Sequence, residues 1–186
     1  AIIHEGKIRA TYVKRHLPNY GVFDEFRNFV AGDQSLVVRI HGVDVGVLIC
    51  QDIWHPDGVL AELAARSPGL VVVPNGSPFE RNKDDVRLAL VSKEAARMDA
   101  PFVYVNMVGG QDDLVFDGDS MVVDRTGALL ARTPHCDEGL MIVDLDCDGQ
   151  TSSPDVIISE DAIAQSTPIV TAIAERTSIE EEIWKV

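Results

Sequence analysis

The stretch that decides the fold is VGVLICQDIWHP, residues 45–56. Its first six residues carry no charged side chain, which is typical of a strand buried on both faces, and Cys50 comes at the end of that strand. Upstream, residues 36–40 and the turn residues 41–44 predict a hairpin partner. Downstream, helices predicted at 58–66 and 84–98 alternate with strands predicted at 70–74 and 102–106. This alternation indicates an α/β fold in which helices pack on a sheet.

Elements farther from this stretch are shorter. Residues 2–3 and 8–13 predict one hairpin and residues 121–124 and 128–132 another, with a further strand predicted at 140–144. Residues 15–32 are rich in aromatic and turn-forming residues without helical or strand periodicity, and connections of this length are usually functional. Residues 149–186 are acidic and show helical spacing only near their end, so we interpret them as a linker or docking tail.

The composition excludes several classes of protein. Of 186 residues, 46% are hydrophobic and 25% charged, which predicts one globular domain rather than a disordered chain. A net charge of −14 without any Lys/Arg cluster disfavours nucleic-acid binding, and no apolar run approaches the roughly 20 residues of a membrane span. Cys50, Cys136 and Cys147 are too few and too far apart for a disulfide framework or a zinc site, which predicts a cytoplasmic protein without a metal.

Cys50 is the first candidate for chemistry. A thiol at the end of a buried strand lies beside the outward-pointing backbone N–H of Gln51, so a nucleophile and an oxyanion donor are neighbours. An ammonium at Lys14, if close, would lower the pKa of the thiol and stabilise an oxyanion. These residues alone leave two other interpretations open. Cys50 could be a small buried hydrophobe, or it could pair with His16 or His55 in a cysteine-protease arrangement, for which no local signature is present.

Turn-rich segments follow the predicted strands. They are NGSPF at 75–79, GGQ at 109–111 and FDGDS at 116–120. In open α/β sheets, ligands bind near the carboxyl ends of strands, although Asn, Gly, Ser and Pro also favour plain turns. The glycine spacing matches neither GxGxxG nor a phosphate-binding loop, so nucleotide binding is not predicted.

Four segments in order carry a resemblance to a known family. They are YVKRHLPNYGVFDEFRNF around Lys14, GVLICQDIWHP around Cys50, VVPNGSPFERNKDD around Ser77, and YVNMVGGQDDLVFDGDS after it. Together they resemble the nitrilase, or carbon–nitrogen hydrolase, superfamily, and within it the glutaminase domains of glutamine-dependent NAD synthetases. The resemblance covers residues 1–148 and implies a nitrilase-like αββα sandwich. Residues 149–186 would then lead towards a synthetase domain outside this chain.

The resemblance also implies roles for single residues. Cys50 matches the nucleophile, Lys14 the lysine of a Glu-Lys-Cys triad, and Glu25 a supporting acid. Positions that contact glutamine in the family are filled here by Tyr20, Gln51, Trp54 and Ser77. The implied reaction is attack of the thiolate on the glutamine side-chain amide, loss of ammonia, and hydrolysis of the glutamyl thioester. No cofactor is implied for this chain, whereas ATP and Mg²⁺ belong to the synthetase domain, which amidates deamido-NAD.

Two departures from the family pattern matter. Gln51 stands where the family often has an acid that can pair with the substrate's α-ammonium. The triad glutamate belongs to a segment before the lysine motif, where Glu5 is present without the family context. We therefore expect the sandwich to lack its N-terminal part and the chain alone to be inactive or trapped as an acyl-enzyme.

The resemblance gives three expected partners: glutamine, the synthetase domain of the same enzyme, and further copies of the chain in a homo-oligomer. Two alternatives to a glutaminase remain. One is a stand-alone nitrilase-type amidase, and the other is a non-catalytic piece that scaffolds a partner domain.

Overall fold

The computed structural model describes residues 1–81, 83–149, 153–161, 169 and 171–185. The strands in chain order are β1 Ile2–His4, β2 Lys7–Ala10, β3 Leu36–Ile40, β4 Val43–Val47, β5 Leu70–Asn75, β6 Phe102–Asn106, β7 Val108–Gln111, β8 Leu114–Asp117, β9 Met121–Val123, β10 Leu129–Arg132 and β11 Val156–Ile157. The α-helices are α1 Val59–Arg66, α2 Lys83–Met98 and α3 Ile179–Lys185, and 3₁₀ turns span Glu25–Arg27 and Cys50–Trp54.

The main sheet is mixed and has the order β10-β9-β6-β5-β4-β3-β11. Strands β4, β5 and β6 are parallel neighbours, connected through α1 and α2, while β3 and β9 pair antiparallel with β4 and β6. The predicted alternation of strands and helices is therefore confirmed. Because β4, β5 and β6 are parallel, their carboxyl ends lie at one edge of the sheet, where the candidate site forms.

Helices α1 and α2 contribute to the apolar core on one face of this sheet. Alternate residues of a strand point to the same face, which explains why buried and half-buried residues alternate along β5 and β6. The core combines residues of α1, β5, α2 and β6: Leu60, Leu63, Val71, Val73, Val91, Ala95, Phe102 and Tyr104. Burying each large apolar side chain contributes roughly 1.5–3 kcal/mol, so this layer anchors the strands whose ends carry the site.

A segment without assigned helix or strand lies against β6 and β9. Val103, Val105 and Val122 line a cavity of about 290 Å³ together with side chains from residues 139–145. The predicted strand at 140–144 is wrong, because the structure assigns no strand there and Leu140 and Ile142 are 89% and 56% exposed. An apolar run becomes a strand only where its backbone bonds a neighbouring strand.

The predicted hairpins β1–β2, β3–β4 and β9–β10 are confirmed. A further hairpin, β7–β8, was not predicted because Gly109 and Gly110 favour a loop, yet both lie in β7. Parts of the predicted tail contact the body: β11 pairs with β3, and Glu182 of α3 lies 3.0 Å from His135. The boundary after residue 148 stays a prediction. None of the helices in the described part of the chain has the length and apolarity that crossing a membrane requires.

Candidate active site

Cys50 lies just beyond the end of β4 and opens the 3₁₀ turn Cys50–Trp54. Its φ of 46° is in the left-handed region, which non-glycine residues adopt mainly at turns and functional sites. This conformation turns the chain sharply at the sheet edge. The backbone N–H groups of Gln51 and Gly76, the latter just after β5, both act to lower the pKa of the Cys50 thiol. The two strand ends thus supply the donors that a thiolate or an oxyanion needs.

Asp52 ties the Cys50 turn to the segment that follows β2. Its fully buried carboxylate accepts hydrogen bonds from the Tyr12 hydroxyl at 2.7 Å and from the backbone N–H groups of Arg15 and His16 at 3.2 and 2.9 Å. It also accepts from the N–H of Ile49 at 3.1 Å. Because Tyr12, Arg15 and His16 flank residue 14, their bonds to Asp52 fix where that residue enters the site. The sequence motifs did not reveal this anchor.

Lys14 and Glu25 form an ion pair beside the thiol. The Lys14 ammonium donates to both carboxylate oxygens of Glu25 at 2.8 Å, with the side chains 14% and 24% exposed. The pair lines a cavity of about 360 Å³ in which Cys50 and Gly76 also take part. The structure therefore brings together the three residues predicted as catalytic, although their catalytic roles stay predictions.

Burial raises the pKa of the Cys50 thiol. The positive charge of Lys14 and the two backbone N–H groups act in the opposite direction, and the negative charge of Glu25 adds to the increase. The sequence predicted that Lys14 would lower this pKa, and its own effect has that sign. The net outcome differs because the thiol is desolvated and because Glu25 offsets the charge of Lys14.

The four predicted substrate contacts line a single cavity that Cys50 also lines. Tyr20, Gln51, Trp54 and Ser77 line a second cavity of about 430 Å³, and Cys50 belongs to this lining as well. The Tyr20 hydroxyl donates to Gln51 Oε1 at 2.9 Å. Three charged side chains that the motifs did not single out also line it: Glu80, Arg81 and Lys83. Cys50 thus separates a cavity with the ion pair from a larger one with mixed polar and aromatic walls.

Ser77 is held by buried groups from α2, β6 and β8. Its backbone N–H donates to Asn106 Oδ1 at 2.9 Å, while Arg87 donates to its carbonyl and hydroxyl oxygens at 3.0 and 3.2 Å. Arg87, with no exposed surface, also donates to Asp117 at 2.7 Å. This network fixes the loop that presents the Gly76 N–H to the thiol.

The two histidines near the site lie away from the thiol. The His16 ring nitrogen Nδ1 is 3.0 Å from Asp52 Oδ1, and the ring stacks on His55 with centroids 4.0 Å apart. Neither ring lines the two cavities that meet at Cys50, which disfavours the cysteine-protease interpretation. Across the described residues, no three His, Cys, Asp or Glu side chains are grouped to hold a metal.

Comparison with known proteins identifies the family. Residues 1–154 match the carbon–nitrogen hydrolase family model. The glutamine-dependent NAD(+) synthetase of Aquifex aeolicus is 42% identical over 146 residues, which is 78% of this chain and 26% of that protein. The same-named protein of Thermotoga maritima is 43% identical over 150 residues, covering 80% of this chain and 26% of its own length. The chain thus spans about a quarter of these relatives.

Solved structures give the same result. A glutamine-dependent NAD+ synthetase from Acinetobacter baumannii superposes with a TM-score of 0.72 at 41% identity, over 75% of this chain and 26% of that one. An amidase from Nesterenkonia sp. AN1 superposes with a TM-score of 0.61 at 32% identity, over 69% of this chain and 47% of that one. That structure shows the acetamide moiety of fluoroacetamide covalently added at the active-site cysteine. These matches confirm the nitrilase-like α/β fold and the resemblance drawn from the motifs, and the chain belongs to the carbon–nitrogen hydrolase family of hydrolytic enzyme domains.

Proposed function

We propose that this chain hydrolyses the side-chain amide of glutamine with Cys50 as nucleophile. The observation that carries the proposal is the position of Cys50 between the two cavities. The Lys14–Glu25 pair lines one of these cavities, and the predicted glutamine contacts line the other. A substrate in the larger cavity would therefore bring its amide carbon to the sulfur while its amino-acid end contacts polar walls.

The first step forms a bond between Cys50 Sγ and the amide carbon, and the carbonyl oxygen becomes an oxyanion. Lys14 and the backbone N–H of Gln51 stabilise this charge, which is the effect that usually contributes most in acyl transfer. The C–N bond then breaks, the nitrogen takes up the proton that the Cys50 thiol lost on attack, and ammonia leaves a glutamyl thioester on Cys50. Water attacks the thioester, glutamate leaves, and the thiol is restored.

Hydrolysis of the thioester needs a base that activates water. Glu25 lines the smaller cavity together with Cys50, and both of its oxygens accept hydrogen bonds from Lys14. Each of these oxygens keeps a second lone pair that can take up a proton from water. Glu25 is therefore the candidate base for hydrolysis of the thioester.

The relatives suggest the use of the product. Proteins named glutamine-dependent NAD(+) synthetase match this chain at 42–43% identity. We propose that the ammonia serves a synthetase domain that amidates deamido-NAD with ATP and Mg²⁺, and that this chain itself uses no cofactor. A cytoplasmic homo-oligomer is the expected form of the enzyme.

Ammonia release from glutamine by the purified protein that carries this chain tests the proposal. Cys50→Ala should abolish the release, while Cys136→Ala and Cys147→Ala, matched changes at cysteines outside both cavities, should retain it. A preference for small aliphatic amides over glutamine would instead support a stand-alone amidase. No amide hydrolysis at all by the folded wild-type protein would favour the scaffolding alternative.

A further inference from the structure

A chain of polar side chains runs along one wall of the larger cavity. The Tyr20 hydroxyl donates to Gln51 Oε1 at 2.9 Å, and Gln51 Nε2 lies 3.3 Å from His55 Nε2. His55 stacks on His16 with an interplanar angle of 8°, and His16 is bonded to the buried Asp52. The Gln51 amide is thus held at both ends, on one side by a cavity residue and on the other by an anchored ring.

The chemistry of the groups decides which of them donates and which accepts in the Tyr20–Gln51–His55 series of hydrogen bonds. An amide Nε2 only donates, so His55 Nε2 accepts and the neutral ring carries its proton on Nδ1. Gln51 Oε1 has two lone pairs, of which Tyr20 uses one. The second lone pair is available to a hydrogen-bond donor in the cavity that Gln51 lines.

We propose that His55 is a positioning residue that orients the Gln51 amide, so that Oε1 receives the α-ammonium of the amino-acid substrate. This inference rests on the proposed function, because glutamine supplies the ammonium. Gln51 carries no charge, so its usefulness for a cation depends on which end of the amide faces the ligand. A carboxylate at this position would accept in either orientation and would need no such support.

Protonation of His55 reverses the arrangement. In protonated His55 both ring nitrogens donate, so Nε2 can no longer accept from Gln51. Rotation of the amide restores the hydrogen bond, because Oε1 then accepts from the ring. The Tyr20 hydroxyl can then accept from Nε2, and the cavity is offered an N–H in place of an oxygen. An N–H repels an ammonium, so substrate affinity falls.

The surroundings of His55 set the pH at which it becomes protonated. Partial burial and the adjacent His16 lower the pKa of His55 below its ordinary value of 6.5, whereas the Asp52 carboxylate acts to raise it. His55 is therefore neutral at neutral pH. The substrate-binding orientation is present above this pKa and is lost as the pH falls through it.

Steady-state kinetics with glutamine, from about pH 8 down to about pH 5.5, test the proposal. KM should rise as the pH falls through the His55 pKa, towards a limit at least on the order of 10-fold higher when His55 is fully protonated, the scale of one hydrogen bond to a charged group, while kcat does not follow the same titration. His55→Phe keeps a ring to stack on His16 but accepts no hydrogen bond, so its KM should be high already at about pH 8 and nearly independent of pH. His55→Gln keeps an acceptor that does not titrate, so its KM should stay low throughout. His41→Gln, in the β3–β4 turn, serves as the control histidine and should leave the profile unchanged.

A second background separates positioning from general structural damage. In Gln51→Glu, either carboxylate oxygen can receive the ammonium, so adding His55→Phe should leave KM for glutamine unchanged within about 2-fold. An equal loss in both backgrounds would overturn the inference, as would a wild-type KM in His55→Phe or a fall in kcat alone.

Nitrogen NMR of the resting protein supplies a readout without substrate, since neutral His55 should carry its proton on Nδ1. An Nε2–H tautomer would overturn the inference. Failure of the wild type to hydrolyse glutamine would overturn the proposed function, and the tautomer would still report whether the His55–Gln51 contact exists.

Discussion

Lys14→Met is the substitution that tests the candidate site most directly. Methionine has a similar length and lacks the ammonium, so the change removes the positive charge with little change in volume. Two effects follow from the structure. The oxyanion loses a donor, and the Glu25 carboxylate loses the partner that bonds both of its oxygens at 2.8 Å. The unpaired carboxylate also increases the pKa of the Cys50 thiol, because it now acts without the opposing charge.

The expected magnitudes differ for activity and stability. Loss of one oxyanion donor costs about 10²–10³-fold in kcat. The ion pair is 14% and 24% exposed, so breaking it should cost more than the ~0–1 kcal/mol of an exposed pair and less than the ~3–5 kcal/mol of a buried one. We expect a decrease of about 2 kcal/mol in the free energy of unfolding.

The double variant Lys14→Met/Glu25→Gln separates the two effects. It removes the orphaned charge, so the free energy of unfolding measured with urea should return close to the wild-type value. Ammonia release from glutamine should remain at least on the order of 10²-fold below wild type, because the donor is still missing. Recovery of activity along with stability would show that Lys14 acts only as the partner of Glu25, and the assigned oxyanion role would be refuted.

Three further predictions concern the cysteines and the buried network. A glutamine-like chloroketone should label Cys50 and spare Cys136 and Cys147, because Cys50 alone of the three lines the substrate cavity; peptide mass mapping that found the label on another cysteine would contradict this. Alkylation of Cys50 by a small neutral reagent in the absence of substrate should increase with pH and reach its midpoint above 9.0, the ordinary value, since burial raises the pKa of the thiol; a plateau near neutral pH would contradict it. Arg87→Met should lower the free energy of unfolding by about 3–5 kcal/mol because it leaves the buried Asp117 unpaired, and adding Asp117→Asn should restore part of the loss in urea denaturation.

The strand framework could be predicted because it depends on local patterns. Residues 45–50, 70–74 and 102–106 are apolar runs separated by turns and helices, and parallel strands of this kind must end at one sheet edge. Cys50 and Ser77 therefore had to lie near each other. The position of Lys14 is different, since nothing in residues 11–17 alone brings them to the sheet, and its place was predicted only from the resemblance of four motifs to a family.

The contacts that fix the site could not be predicted in this way. Asp52 binds donors 36 and 37 positions earlier in the chain, and Arg87 binds Asp117 30 positions later. Neither residue stands out from its neighbours, because a buried charged side chain is recognised only once its partner is known. The error at residues 140–144 has the same origin, since the apolar run is present but the backbone partner is not encoded beside it.

Burial and charge act on the Cys50 thiol in opposite directions, and their balance indicates what the site is arranged to do. The pKa of the resting thiol is raised, so most of it is protonated and unreactive towards incidental electrophiles. The positive charge of Lys14 does not offset the effect of burial on this pKa, because Glu25 neutralises much of that charge in the ion pair. In the reaction that we propose, two of the three Lys14 N–H donors bond Glu25, and the third is available to an oxyanion that forms at the substrate amide. Lys14 can thus stabilise the oxyanion and hold Glu25 beside the thiol at the same time, so the proposed attack and the proposed activation of water share one positioning group.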